Sequence, residues 1–312
     1  MPRNLRAIRY RQVLLGVVSL VSPGAASTGT GGTDSARYCY SVWLRHVVRL
    51  GQAGLWNRPE RVAELGPGDS IGTGLAALLT GASVYTGLDV VPYTDMKRSL
   101  PILDELAELV GKQEPIPDDS EFPEVWPKLD SYAFPHTLLN TRATDVKQSH
   151  QMISKDIQQD DASGSVRYHA PLHLRESDLQ NQIELLWSQA VMEHVDDLER
   201  TYRAMSQWLT PGGIGSHVID FRAHALSTQW DGHHMYPDWL LRVARGSRAY
   251  LLNREPLTRH IEELQANGFR IEVLERGENE STGEEHEYTP RYSIMSPTDR
   301  TTALAYLIAS RS

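Results

Sequence analysis

Apolar residues in this chain fall in short runs, set apart by glycine turns and by stretches of helical spacing. Arg61 to Leu65 reads as a strand running into Gly66-Pro67-Gly68. Leu75 to Thr80 reads as a helix, and Ser83 to Leu88 as a second strand ending at Asp89. Val166 to His169 and Ile183 to Trp187 read as strands, and Leu198 to Leu209 as a helix. Pro211-Gly212-Gly213 reads as the turn into a strand over Ile214 to Asp220. Leu257 to Asn267 is a helix closed by Gly268, the residue type that suits the left-handed position after a helix. Strands follow at Phe269 to Leu274 and Ala303 to Ala309. Strands alternating with helices predict an α/β fold, a mostly parallel seven-stranded sheet with helices on both faces.

Two stretches depart from that rhythm. Residues 1–58 read as an N-terminal helical segment before the main domain at 59–312, with Tyr38 to Leu50 its clearest helix. Residues 101–165 hold 13 acidic and 5 basic residues and five prolines between 115 and 135. They read as an acidic insertion: a helix over 100–112, then irregular and partly mobile chain. A second insertion is expected at about 222–256.

Composition narrows the class. One cysteine, Cys39, excludes an intramolecular disulfide framework and a multi-cysteine zinc site. The longest clean apolar run, Val13 to Val21, is nine residues, well short of the roughly 20 a membrane helix needs. Its arginine flank and the small residues after it imitate a secretory signal. Gly16 and Ser19 interrupt the run, so it reads as an amphipathic helix, and the location expected is cytoplasmic. Charge is split: residues 1–59 carry eight arginines and one acid, Asp34, against 23 basic and 39 acidic residues in the remainder. A net charge of −9 does not suit wrapping a nucleic-acid backbone. The partners expected are a small molecule, no nucleic acid and no membrane, with a homo-oligomer left open.

The glycine turn carries the chemistry. Glu64-Leu65-Gly66-Pro67-Gly68 ends a strand and opens a helix, where glycines let the backbone approach a ligand. A dinucleotide fingerprint needs a third glycine three residues after Gly68. That position is Ile71, and Gly72 falls one residue later. Glu64 would also repel a pyrophosphate, which weighs against a nicotinamide oxidoreductase. Asp89, 23 residues after Gly66, is placed to accept hydrogen bonds from ribose hydroxyls.

With these motifs the chain resembles the class I S-adenosylmethionine-dependent methyltransferases. Glu64 to Gly68 with Gly72 matches their cofactor loop, and Asp89 their ribose acid. Ser188 to Val195 looks like their fourth-strand segment, and Leu209 to Gly213 like their turn before strand five. The resemblance implies a Rossmann-like fold and S-adenosylmethionine bound at Glu64, Gly66, Gly68, Gly72, Asp89 and Ser188. Two departures stand out. His169-Ala170-Pro171-Leu172-His173 occupies the place where the family often has an acid for the adenine. Ala190 replaces the first acid of a Glu-x-x-Glu-His metal run found in some members, so no metal is expected.

Methyl transfer to a hydroxyl calls for positioning and a proton acceptor. His194, after strand four, and His224, after strand five, are the catalytic candidates; His217 reads as a core histidine. His233-His234 with Asp231 suggests a metal only weakly, since adjacent residues of an extended segment point apart. Trp230, His233, His234 and Tyr236 are candidates for binding the acceptor by stacking and hydrogen bonding, which favours a sugar or sugar-containing metabolite. The rival reading is a non-catalytic interaction module of the same fold.

Overall fold

The computed structural model describes residues 9–21, 32–139, 141–159, 164–172 and 179–312. His173, the last residue of the segment after the third strand, lies outside them. Seven strands form one sheet: β1 (Arg61–Leu65), β2 (Val84–Leu88), β3 (Val166–His169), β4 (Ile183–Gln189), β5 (Leu209–Asp220), β6 (Phe269–Glu278) and β7 (Thr302–Arg311). Their order is β3-β2-β1-β4-β5-β7-β6. The first five are parallel, and β7 runs antiparallel between β5 and β6. The Rossmann-like arrangement expected from the resemblance is thus the fold observed. Strand order reverses between β1 and β4, the place where sheets of this kind open a crevice beyond their C-terminal strand ends.

Helices cover both faces: α1 (Tyr10–Val21), α2 (Ala36–Gln52), α3 (Gly72–Leu79), α4 (Leu100–Lys112), α5 (Ala143–Gln159), α6 (Leu198–Trp208), α7 (Asp238–Arg245) and α8 (Leu257–Ala266). One core joins α2 to α5 with the sheet and is built around Trp43, Tyr85, Trp187 and Tyr306. Trp43 and Trp187 stack with centroids 5.0 Å apart. The other core joins α6 and α8 to the sheet through Met205, Trp208 and Leu264. Helix α2 begins where the Ser35 side chain accepts a hydrogen bond from the Tyr38 amide, and its apolar face is buried in the first core.

The stretch 101–165 differs from its expectation in one element. After α4 it holds a second helix, α5, whose buried stripe is only Val146, Ile153 and Ile157 amid polar residues. Before α5 the chain is irregular but well anchored. Arg45, wholly buried on α2, donates to the carbonyls of Pro117, Val125 and Pro127 and pairs with Asp119 at 3.1 Å. Arg37 forms a two-pronged pair with Glu121 at 2.6 Å. Two arginines of the basic N-terminal stretch are thus paired with acids of the insertion. Pro211-Gly212-Gly213 also differs, lying inside an extended β5 rather than before it. No helix among the described residues is long and apolar enough to cross a membrane.

Candidate active site

A cavity of about 1310 Å³ opens beyond the C-terminal ends of β1, β2, β4 and β5. Its first end is built by the loops after β1 and β2. Gly66 and Gly68 sit at φ +63° and +78°, conformations that L side chains rarely adopt. A Cβ on Gly66 would also lie 2.7 Å from Val191. Thr94 donates to the Gly68 carbonyl at 2.6 Å and fixes the loop's curvature. Asp89 faces the cavity, with one carboxylate oxygen accepting from the Val91 amide at 3.1 Å. Burial raises the Asp89 pKa above the usual carboxylate range.

Gly66, Gly68 and Asp89 thus come together on the cavity wall. Glu64, Gly72 and Ser188 do not. Glu64 is buried one layer behind, accepting from the Tyr85 hydroxyl at 2.8 Å, and burial pushes its pKa up to about 8. Gly72 packs against Cys39, where a side chain would collide with the sulfur. The Ser188 hydroxyl bonds His217 Nδ1 at 2.8 Å inside the sheet, next to the core histidine expected there.

The second end follows β4 and β5. A short turn, Met192–His194, and the segment after Asp220 bring His194 and His224 face to face, with ring centroids 5.3 Å apart. Tyr250 closes over His194 at 5.2 Å and meets Tyr93 edge-on. Asn253 locks the turn by donating to the carbonyls of Met192 and Val195 at 2.8 and 2.9 Å. Beneath the imidazoles lies the buried carboxyl of Glu193, 3.9 Å from His224 Nε2, with Asp220 at 4.0 Å. Burial, then the nearby Asp220, pushes the Glu193 pKa well up. Burial opposes ionisation of Asp220 too, but hydrogen bonds from the Arg222 guanidinium hold it below the usual range. Burial, then His224, lowers the His194 pKa to about 4.

Helix α1 completes the wall with Gln12 and Ser19. Gly16 lets it lie directly on the backbone of Val243 and Ala244 in α7, where a Cβ would clash. Ser247 clamps Ser19 through two hydrogen bonds of 2.9 and 2.6 Å, and Arg248 donates to Gln12.

The 230–239 segment lies elsewhere. His233 and His234 stack at 3.9 Å, His234 stacks on Tyr292 at 4.4 Å, and Arg254 lies 5.1 Å over the Tyr292 ring. Asp231 accepts hydrogen bonds from Ser281, Thr282 and Tyr288. The Tyr236 hydroxyl bonds the Leu226 carbonyl, and the Trp230 indole donates to the Glu280 carbonyl at 2.8 Å. None of Trp230, His233, His234 and Tyr236 lines the large cavity. Tyr38, Tyr93 and Tyr250 supply its aromatic faces instead. Sequence reasoning did not assign these three to the site, because Tyr93 and Tyr250 are isolated in loops and Tyr38 reads only as part of helix α2.

No protein-family profile and no curated protein match the chain. Similar solved structures include an S-adenosylmethionine-dependent methyltransferase from Mesorhizobium loti, 15% identical, spanning 80% of this chain and 90% of that one, with a TM-score of 0.38. A phosphoethanolamine N-methyltransferase from Haemonchus contortus is 12% identical over 95% of this chain and 60% of its own, with a TM-score of 0.45. A geranyl diphosphate C-methyltransferase from Streptomyces coelicolor is 10% identical over 84% and 77%, with a TM-score of 0.42.

Proposed function

We propose that the chain is an S-adenosylmethionine-dependent methyltransferase acting on a small hydroxylated acceptor. The observation that carries this reading is one continuous cavity whose two ends have different chemistry. At one end two left-handed glycines and Asp89 form a cradle for a nucleoside. At the other, two imidazoles and a tyrosine surround space for an acceptor. Asp89 takes the ribose hydroxyls, and Leu172 with Val90 offers apolar contact to the adenine. The sulfonium methyl then points toward His194 and His224.

The transfer is an in-line displacement, so alignment does most of the work. The acceptor hydroxyl still has to lose a proton. His224 is better suited to take it than His194. His194 is buried and hard to protonate, whereas His224 lies at the cavity surface 4.0 Å from Asp220, which the Arg222 guanidinium keeps ionised. His194 then serves as a wall that orients His224 and the acceptor. A sugar or other ring fits against Tyr250 and Tyr93; the Trp230, His233, His234 and Tyr236 cluster is too far inside its own packing to supply that surface.

Two other readings are weaker. A non-catalytic module of this fold has no need of an open cavity between a nucleoside cradle and paired imidazoles. A nicotinamide enzyme would place a pyrophosphate beside the glycine loop, where Ile71 stands for the helix-packing glycine and Glu64 lies behind the strand end. The test is incubation with methyl-labelled S-adenosylmethionine and a panel of small alcohols, phenols and sugars. Label transfer to an oxygen supports the reading; label recovered only on nitrogen or carbon acceptors, or on none, overturns it.

A further inference from the structure

We propose that Glu193, His194 and His224 form a divalent-cation site at the acceptor end of the cavity. One donor atom from each lies within 4.8 Å of the other two. The three come from the ends of β4 and β5, adjacent parallel strands, so two rigid elements bring them together. The second observation is what these atoms lack. Among the described residues, neither carboxylate oxygen of Glu193 has a hydrogen-bond partner of normal geometry, although only 2% of the residue is exposed. His194 Nδ1 is buried and unpartnered as well. Buried polar atoms without partners are costly in a folded protein, and a cation held between Glu193 and the two imidazoles supplies a partner where the protein has none.

A simple ion pair between Glu193 and His224 answers less. Their separation is 3.9 Å, beyond hydrogen-bond range, and it leaves the second Glu193 oxygen and His194 Nδ1 unpartnered. Metal–nitrogen and metal–oxygen bonds of about 2.0–2.2 Å place tetrahedral ligand atoms roughly 3.4 Å apart. The trio therefore needs to close by little more than an ångström. Asp220 stays outside the set because Arg222 already holds it.

The sequence pointed away from a metal because Ala190 stands where a first acid would be. His224, 30 residues after His194, provides the third donor from another strand. Two imidazoles with one carboxylate suit borderline dications such as zinc, cobalt or ferrous iron rather than magnesium or calcium. The remaining coordination positions face the cavity, so the site fits an acceptor that offers an oxygen.

The chemical consequence rests on the proposed function. A hydroxyl bound to a dication is more acidic. Its O–H bond breaks, and the proton passes to water. The oxygen lone pair then forms the bond to the methyl carbon. The carbon–sulfur bond breaks with its electron pair left on a neutral thioether. In this form His224 is a ligand and no longer the proton acceptor.

The test uses the full, untagged chain stripped with a chelator and titrated with Co²⁺ alone, read by visible absorption and calorimetry. The expected result is one saturable Co²⁺ per chain with a new visible band. His224→Asn and Glu193→Gln should each weaken Co²⁺ binding by about 100-fold, since losing even an outer partner costs 10–100-fold. Circular dichroism and S-adenosylmethionine titration of the same variants check that they fold. Absence of saturable binding, or wild-type binding by a folded His224→Asn variant, overturns the site. Co²⁺ binding without any S-adenosylmethionine binding would instead overturn the methyl-transfer reading and leave the cation site standing.

Discussion

The two ends of the cavity are finished to different degrees. At the β1–β2 end the polar groups already have protein partners: Thr94 on the Gly68 carbonyl, Tyr85 on Glu64, the Val91 amide on Asp89, and Ser70 on Thr33. At the β4–β5 end Glu193, His194 and Gln189 each keep a buried polar atom without a partner. The first end is a shape set by backbone, ready for a ligand whose own polar groups are few and fixed. The second is a set of unspent donors and acceptors whose partners must arrive with the acceptor, or with a cation. The contrast separates binding from turnover: damage at the first end should cost affinity for the cofactor, and damage at the second should cost rate.

The largest effect is expected at the second end. His224→Ala should lower turnover by about 10²–10⁴, the usual consequence of losing a proton acceptor, while S-adenosylmethionine affinity stays within a few-fold. Single-turnover kinetics beside a calorimetric titration measures both; a parallel loss of affinity would collapse the contrast. Next comes Gly66→Ala at the first end. The variant forces a left-handed alanine whose Cβ lies 2.7 Å from Val191, at a strain of about 1–3 kcal/mol. Cofactor affinity should fall about 10- to 100-fold, and a variant that binds as tightly as the wild type would show that the loop does not cradle the ligand.

A third prediction concerns acid. His46, His194, His217 and His260 are buried neutral, with pKa values lowered by burial to about 4, 4, 3 and 3. Their unfolded values are near 6.5, so the unfolded chain binds more protons below that pH. The stability they contribute is complete above about 6.5 and is lost as pH falls toward their folded values, at up to about 2 kcal/mol each by pH 5. Glu64 acts in reverse: its folded value near 8 stabilises the fold at low pH and withdraws that gain as pH rises through 8. His233 and His234 are lowered in the same way, so six imidazoles stand against the three raised carboxyls Glu64, Glu193 and Asp89, and the melting temperature should drop between pH 7 and pH 5. A flat profile there would contradict neutral burial of these imidazoles.

The smallest effect on binding is expected from the sealed aromatic cluster. His234→Ala removes a ring stacked between His233 and Tyr292 and should cost about 1–3 kcal/mol of stability. Cofactor affinity should not change. A large shift in acceptor KM with stability intact would return this cluster to the acceptor site.

How much of this was legible in the sequence follows the range of the contacts. Arg61–Leu65 and Val166–His169 form strands where the pattern placed them, because each is a short segment bounded by turn residues. The meeting of Gly66, Gly68 and Asp89 on one cavity wall was legible too, since each follows the end of its own strand. Helix α5 was not, because three buried apolar residues among 17 leave almost no hydrophobic stripe. The acceptor end was half legible. His194 and His224 could be placed beyond their strands, but their approach to one carboxyl depends on β4 pairing with β5, and Glu193 looks like any acid after a strand. The Trp230–Tyr236 segment misled for the opposite reason: its aromatic density marks a small core closed by Tyr288 and Tyr292, more than 50 residues away.

The central claim is that Asp89 and the glycine loop hold the nucleoside of S-adenosylmethionine, and a calorimetric titration of the full chain and its Asp89→Ala variant tests it most directly. The wild type should bind one S-adenosylmethionine per chain. The variant should lose at least tenfold in affinity, since it gives up charge-assisted hydrogen bonds worth about 1.5–3 kcal/mol each. No heat of binding from the wild type, or an unchanged affinity in a folded variant, would contradict the account.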